Sequence, residues 1–144
     1  DKLINLGYNR WAFRVSAGGS QAVGRWTFEL LGNASLFTDN SEFLGGGTLT
    51  QEPILGLQAH ILYTFARWLW VGLDVGHGSG GQASLNGVVK DTSEDNSLGG
   101  ITAAFTLARR HSLKLSFISA VSTRVGADFD TITAAYQYRW GGGI

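Results

Sequence analysis

Ionisable side chains recur inside strand-like segments of the sequence, each on the polar side of an alternating pattern. They are Arg14, Glu29, His60, Asp74, Lys114 and Arg139. Such groups can line a lumen, set its selectivity or bind a polar group of a solute. They can equally pair with one another and stiffen a narrow interior. Unpaired charges in a confined interior are costly, so both interpretations predict pairing. The mixed signs argue against a strongly ion-selective pore.

Metal chemistry is not indicated by the spacing of the possible ligands. His60, His77 and His111 lie far apart, whereas zinc ligands commonly occur in close pairs. The acidic run at 91–96 lacks the glycine and the terminal glutamate of a calcium-binding loop, so we expect a solvated loop there. The glycine-rich run at 76–82 is not followed by the Gly-Lys-Ser/Thr of a phosphate-binding loop. We therefore expect no cofactor.

Catalysis has one candidate pair. The strand pattern allows His60 and Asp74 to face each other on neighbouring strands, and serines are abundant. A hydrolytic dyad or triad is one interpretation, because His and Asp together can activate a serine. The sequence contains no nucleophile elbow or similar local signature, so we do not expect an enzyme.

The segment that best defines the architecture is 128–140, which reads DFDTITAAYQYRW. One side carries Ile132, Tyr136, Tyr138 and Trp140, and the other side is polar, as in a strand with two unlike faces. This pattern is typical of the last strand of a bacterial outer-membrane barrel, in which lipid-facing and lumen-facing residues alternate. It also resembles the C-terminal signal read by the barrel-insertion machinery, an expected partner. The tail at 141–144 runs past the closing aromatic and departs from that signal.

Earlier segments show the same alternation, and the connections between them alternate in length. The predicted strands are 11–18, 26–36, 54–65, 68–76, 97–107, 113–122 and 128–140. Short turns are predicted at 21–25, 66–67 and 108–111, and long loops at 38–53 and 77–96, with Val88 and Val89 extending the flanking strands. Bacterial barrels have short periplasmic turns and longer extracellular loops. We expect Arg124, Asp128 and Asp130 to tie down the final loop.

Aromatic residues gather near the strand ends that face the short turns. They are Trp26, Tyr63, Trp68, Tyr138 and Trp140. Trp and Tyr are enriched where a membrane protein meets the boundary between lipid and water. This grouping predicts an interfacial aromatic belt on the periplasmic side.

Composition agrees with a membrane protein made of strands. Charged residues make up 15% of the 144, against roughly 25% in typical soluble domains. The formal net charge is zero, so no nucleic-acid partner is expected. No apolar run reaches the roughly 18 residues that a membrane-spanning helix needs. The expected surroundings are a lipid bilayer and the bacterial outer membrane.

The resulting fold class is all-β, an antiparallel up-and-down transmembrane β-barrel, as a single domain over 1–144 or the C-terminal portion of one. Single-chain bacterial barrels have an even strand count, and about seven strands are predicted here. We therefore expect missing upstream strands or a second copy to close the wall. The chain begins at Asp1 without Met or a signal peptide, so its natural start is expected further upstream.

Several stretches resemble one known family. They are LINLGYNRW, GRW followed by TFELLGNASLFTDN, LQAHILYTF, and SLKLSFISAVSTRVGADFDTITAAYQYRW. These are similar to the outer-membrane transporter family associated with the meta-cleavage pathway of phenol degradation. The resemblance implies an outer-membrane β-barrel of about a dozen strands. It supplies no catalytic residues.

Three functions are compatible with these patterns. The first is a passive channel or transporter for small molecules, with hydrophobic or aromatic solutes as the expected class. The second is a structural or interaction barrel that works through the extracellular loops at 38–53 and 77–96. The third is a soluble ligand-binding β-barrel, in which the faces are inverted and Trp11, Phe28, Leu57 and Leu115 point inward.

Overall fold

A computed structural model describes residues 9–126 and 128–140. The predicted polar turn at 1–8 and the tail at 141–144 lie outside these residues. In the described part of the chain no helix is long and apolar enough to cross a membrane. The regular elements are β1 (Ala12–Val23), β2 (Trp26–Phe37), β3 (Asn40–Phe43), β4 (Gly47–Gln51), β5 (Ile54–Ala66), β6 (Leu69–Gly80), β7 (Ala83–Leu85), β8 (Val88–Val89), β9 (Glu94–Ala108), β10 (His111–Thr123) and β11 (Asp130–Tyr138).

The long strands form one sheet of seven strands in the order β1-β2-β5-β6-β9-β10-β11. Every neighbouring pair is antiparallel, so the chain runs up and down through the sheet. This confirms the predicted all-β antiparallel architecture and the predicted number of strands. The sheet is not closed, because β1 and β11 each pair on one side only within the described residues.

The two faces of this sheet differ as the alternation predicts. One face, called the apolar face below, carries large side chains that are exposed; Leu73 is 59% and Ile132 82% accessible. No hydrophobic side chain is buried among the described residues, so this wall has no apolar core. The opposite face, called the polar face, carries the ionisable residues. Trp11, Phe28, Leu57 and Leu115, which the soluble-barrel alternative places inward, are exposed in this open sheet.

Three strands are longer than the sequence indicates. β1 continues to Val23, and the turn predicted at 21–25 shortens to Gly24 and Arg25, with Gly24 at φ +61°. The glycines at 18 and 19 carry no side chain, so the alternation that signals a strand fades there. β6 and β9 likewise extend into the predicted loop at 77–96, to Gly80 and from Glu94.

The segment 38–53, predicted as a surface loop without strands, contains two short strands. β3 and β4 form there and join β7 and β8 in a second sheet of four short strands, called the loop sheet below. Val88 and Val89 belong to this sheet instead of extending the flanking strands. Asn40 is only 3% exposed and its side chain accepts a hydrogen bond of 2.9 Å from the backbone of Glu42. Strands of two to five residues are too short to show a clear alternation.

Candidate functional site

Ionisable residues of three neighbouring strands meet at one height on the polar face. Glu29 on β2 lies opposite His60 on β5, and His60 lies opposite Asp74 on β6. Ser20 on β1 extends the line, since it pairs with Glu29 in register. Antiparallel partners lie about 5 Å apart, so these side chains form one continuous polar row across the sheet.

Asp74 is the centre of a hydrogen-bonded group, called the Asp74 network below. His60 Nδ1 lies 2.6 Å from Asp74 Oδ1, and Thr102 Oγ1 donates to Asp74 Oδ2 at 2.6 Å. Thr102 Oγ1 also lies 3.1 Å from Ser116 Oγ on β10. Thr102 is 5% exposed, so its hydroxyl depends on these partners. Both carboxylate oxygens of Asp74 are therefore engaged, which fixes the position of its negative charge.

Gly100 keeps the space beside Asp74 open. It lies opposite Asp74 in register, and a Cβ there would come within 2.7 Å of the Phe117 carbonyl oxygen and 3.0 Å of Ile118 Cγ1. Any larger residue would therefore collide with β10. The space forms a cavity of ≈ 130 Å³, lined among others by Gln58, His60, Asp74, Gly76, Leu98, Gly100 and Ile118. A polar end and an apolar wall thus meet in one small cavity.

A wider groove continues from the polar row toward the long loops. It has a volume of ≈ 330 Å³ and is lined in part by Arg14, Asn33, Gly56, Gln58, Glu94 and Asn96. Asn33 packs over Gly56, and a Cβ at Gly56 would lie 2.6 Å from Asn33 Nδ2, so a larger residue there would displace the Asn33 side chain. The polar face therefore offers amide, guanidinium and carboxylate groups along its length.

Other predicted polar-face residues lie apart from the row. Arg14 pairs with Ser35, whereas Glu29 pairs with Ser20, so Arg14 and Glu29 stand about 20 Å apart along the strands. Lys114 lies opposite Ala135, and Arg139 follows the end of β11. Within 9–126 and 128–140, His60 and Asp74 form the one ion pair between predicted polar-face residues. The expected pairing of the remaining charges is not found there, because distance along and across the strands separates them.

The sequence reasoning missed the hydroxyl partners. Thr102 and Ser116 carry no charge and resemble other polar residues of alternating strands. Their position could be found only by knowing the register that places Thr102 between Gly72 and Ser116. The structure therefore adds Ser20, Thr102 and Ser116 to the candidate site.

The predicted contact between His60 and Asp74 is confirmed, but its surroundings differ from those of a hydrolytic triad. A triad requires a nucleophilic hydroxyl on the second ring nitrogen of the histidine. Among the described residues no hydroxyl is hydrogen-bonded to His60, and Thr102 donates to the carboxylate. This arrangement anchors charge and presents hydrogen-bonding groups. No cluster of three or more potential metal ligands occurs in the described ranges.

Aromatic residues cluster at the short-turn edge of the sheet. Trp26 and Tyr63 are register partners, and their ring centroids lie 4.7 Å apart in an edge-to-face arrangement. Tyr63 also contacts Phe65 at 4.7 Å. Trp68 belongs to the turn between β5 and β6 and is 56% exposed.

A second aromatic cluster lies at the same edge on β10 and β11. Tyr138 and Trp140 have ring centroids 6.4 Å apart, and the His111 ring centroid lies 5.1 Å from that of Tyr138. The His111 and Tyr138 rings are tilted by 52° and do not stack, and His111 also forms a hydrogen bond with the hydroxyl of Tyr136. From the sequence, His111 was assessed only as a possible metal ligand. Its position among the aromatic residues was not predicted.

The predicted role of Arg124 in tying down the final loop is carried by contacts with the loop before β9. Its guanidinium donates to Asp91 Oδ1 at 2.7 Å and to the Ser93 carbonyl at 2.6 Å. Its backbone amide donates to Asn96 Oδ1 at 2.9 Å. Arg124 therefore ties the final loop to the loop before β9, as predicted, whereas no such contact of Asp128 or Asp130 occurs among the described residues.

Comparison with known proteins gives a similarity of fold and no match by sequence. No protein-family model matches the chain, and no curated protein matches it. The fold is similar to the crystal structure of an outer membrane channel from Pseudomonas putida F1, with a TM-score of 0.78 and 22% sequence identity. The alignment covers 94% of this chain and 51% of the channel, so this chain spans about half the length of that protein. The likeness establishes the fold.

Proposed function

We propose that this chain forms part of the wall of an outer-membrane β-barrel channel for small molecules, located in the bacterial outer membrane. The observation that carries the proposal is the exposure of the apolar face together with the absence of buried hydrophobic side chains among the described residues. Exposed apolar surface costs about 25 cal/mol per Å² in water and nothing comparable in hydrocarbon. The fold of the Pseudomonas putida channel supports the same placement.

In this proposal the polar face lines the lumen. Arg14, Glu29, His60, Asp74, Lys114 and Arg139 would then contact the water and solute inside the barrel. The Asp74 network supports this role, since His60 and Thr102 hold the Asp74 carboxylate in position. The other polar groups of the row can still form hydrogen bonds with water or solute. Mixed charges along a pore favour modest ion selectivity over strong exclusion of one sign.

The proposed solute is a small molecule with an apolar body and a hydrogen-bonding group. The cavity beside Gly100 supports this class, since Leu98 and Ile118 face the same space as His60 and Asp74. Such solutes include the hydrophobic and aromatic compounds expected from the resemblance to transporters of the phenol meta-cleavage pathway. We propose transport, and the fold likeness to the Pseudomonas putida outer membrane channel supports it over catalysis.

The proposed partners follow from the membrane placement. The lipid bilayer covers the apolar face, and β11 presents the aromatic alternation that the barrel-insertion machinery reads. Each unpaired backbone group at an open edge in hydrocarbon costs several kcal/mol, so β1 and β11 need partner strands. Further strands of the same protein or a second copy would supply them.

The test is single-channel conductance of the purified protein in planar lipid bilayers. We expect discrete conductance steps whose reversal potential under a salt gradient moves toward anion selectivity in Glu29→Lys. Glu42→Lys is the matched control, because Glu42 is exposed on β3 in the loop sheet, away from the polar row. Folded, inserted protein that passes no ion or solute would refute the channel. An equal shift in both variants would refute the lining role of Glu29.

A second function is favoured by one feature of the loop sheet. Leu44 is 87% exposed, and Val88 and Val89 are 61% and 62% exposed, so apolar side chains stand on an ordered surface formed by the long loops. We propose an interaction surface there as the alternative. The variant Val88→Ser/Val89→Ser should abolish partner binding and leave conductance unchanged if the loops are the working part. Unchanged partner binding would exclude this alternative.

A further inference from the structure

The three short turns between the long strands join into one continuous edge. The amide of Thr64 donates to the Arg25 carbonyl at 2.8 Å, and the amide of Thr106 donates to the Trp68 carbonyl at 2.8 Å. The amide of Arg139 donates to the Arg110 carbonyl at 2.9 Å. Each turn is therefore fixed beside the strand that follows it in the sheet. The three turns therefore lie side by side along one edge of the sheet.

This edge is rich in exposed arginine, and these residues are called the arginine rim below. The rim consists of Arg25, Arg67, Arg109, Arg110 and Arg139. The flanking stretches 22–28, 62–70, 104–113 and 135–140 contain no Asp or Glu. In the described residues no rim arginine takes part in an ion pair. The guanidinium groups are thus free to bind an external anion.

Acidic residues gather at the opposite edge. Those in or beside the long loops and the final loop are Asp39, Glu42, Glu52, Asp91, Glu94, Asp95, Asp128 and Asp130. Although the formal net charge is zero, positive charge is concentrated at the short-turn edge and negative charge at the long-loop edge. An anionic surface would be attracted to the arginine rim and repelled by the long-loop edge.

The rim stands directly beyond the aromatic clusters. Arg25 lies one position past Trp26 on the turn side, Arg67 and Trp68 share the second turn, and Arg139 lies beside Trp140 at the end of β11. Interfacial aromatic residues mark the border of the hydrocarbon, and successive residues of a strand are about 3.3 Å apart. The polar layer beyond that border is about 5–8 Å thick on each side of a bilayer. Arginines one position past the border therefore reach the depth of the lipid phosphates.

We propose that the arginine rim binds the phosphate groups of anionic phospholipids in the leaflet that the short turns face. This inference rests on the membrane placement proposed above. A guanidinium can donate two parallel hydrogen bonds to one phosphate, which gives such a rim both affinity and geometric preference. The charge of the rim and its continuity with the aromatic clusters identify an anionic headgroup as the occupant.

The test measures lipid association by electron spin resonance of the inserted protein, with spin-labelled phosphatidylglycerol and phosphatidylcholine as probes. The rim variant is Arg109→Gln/Arg110→Gln. The control is Lys90→Gln/Arg124→Gln, which removes the same charge at the long-loop edge. We expect phosphatidylglycerol to be preferred by the wild type and the control, and its relative association to fall at least about fivefold in the rim variant.

Other outcomes overturn the inference. Equal association of both lipids with the wild type would do so, as would the same loss in both variants. A salt series on the wild type does not depend on the folding of any variant. At 1 M salt, charges are screened within about 3 Å. A preference for phosphatidylglycerol that persists at 1 M salt would therefore contradict a charge-based site. Failure to insert into either bilayer would refute the proposed function as well, whereas insertion without lipid preference refutes only the rim.

Discussion

Thr102 Oγ1 lies 2.6 Å from Asp74 Oδ2 and donates a hydrogen bond to it across the boundary between β9 and β6. The contact is diagonal, because Thr102 pairs in register with Gly72 and Asp74 pairs with Gly100. Each of the two side chains thus lies opposite a glycine of the neighbouring strand. A charge on the polar face is thereby held by a nearly buried hydroxyl on the next strand.

Thr102→Val should lower the free energy of unfolding by about 1–3 kcal/mol, because the change leaves Asp74 and Ser116 without a shared partner in a confined place. Unfolding by guanidinium in lipid vesicles, followed by tryptophan fluorescence, measures the effect. Thr106→Val is the control, since Thr106 lies on the same face of the same strand with an exposed side chain. Equal losses in the two variants would show that the hydroxyl contact contributes nothing specific.

The rings of Trp26 and Tyr63 should stabilise each other beyond the area they cover. A double-mutant cycle with Trp26→Leu and Tyr63→Leu should give a coupling energy of about 0.5–1.5 kcal/mol, as expected for an edge-to-face pair. The control cycle pairs Trp68→Leu with Tyr63→Leu, since no ring contact of Trp68 occurs in the described ranges. That cycle should be additive within about 0.5 kcal/mol. Coupling of similar size in both cycles would contradict a direct ring contact.

Arg124→Gln should loosen the loop before β9 without unfolding the wall. The salt bridge between Arg124 and Asp91 is exposed, so its loss should change the free energy of unfolding by less than about 1 kcal/mol. Chymotrypsin, which does not cleave at arginine, should nevertheless cut the loop at Leu85 faster. Lys90→Gln removes a charge in the same loop and should leave the cleavage rate unchanged. A wild-type rate in Arg124→Gln would show that the backbone contacts alone hold the loop.

The architecture of the main sheet follows from the sequence because side chains of opposite polarity alternate along each long strand. That signal correctly predicts β2 and β5 almost to the residue. It fades where side chains are missing, and therefore the second half of β1 was not predicted. It is absent from β7 and β8, whose few residues cannot show a period. The loop sheet depends on pairing between distant loops, which composition alone does not encode.

The candidate site was predictable only in part for a related reason. His60 and Asp74 stand out because ionisable groups are rare inside strands of this kind, and their contact formed as predicted. Thr102 and Ser116 are common residue types, and only the register reveals that they complete the Asp74 network. Arg124 illustrates the same limit, since its partner Asp91 is distant in sequence and lies in another loop. The lining role of the polar face and the interfacial role of the aromatic clusters remain predictions.

The pairing of β4 with β7 also constrains the order in which the chain can fold. Residues 54–80 lie between these two strands and form the hairpin of β5 and β6. The ends of that long segment come together cheaply only after the hairpin has shortened the path between them, because closing a flexible loop costs entropy. We therefore expect the loop sheet to pair only after β5 and β6 have formed their hairpin.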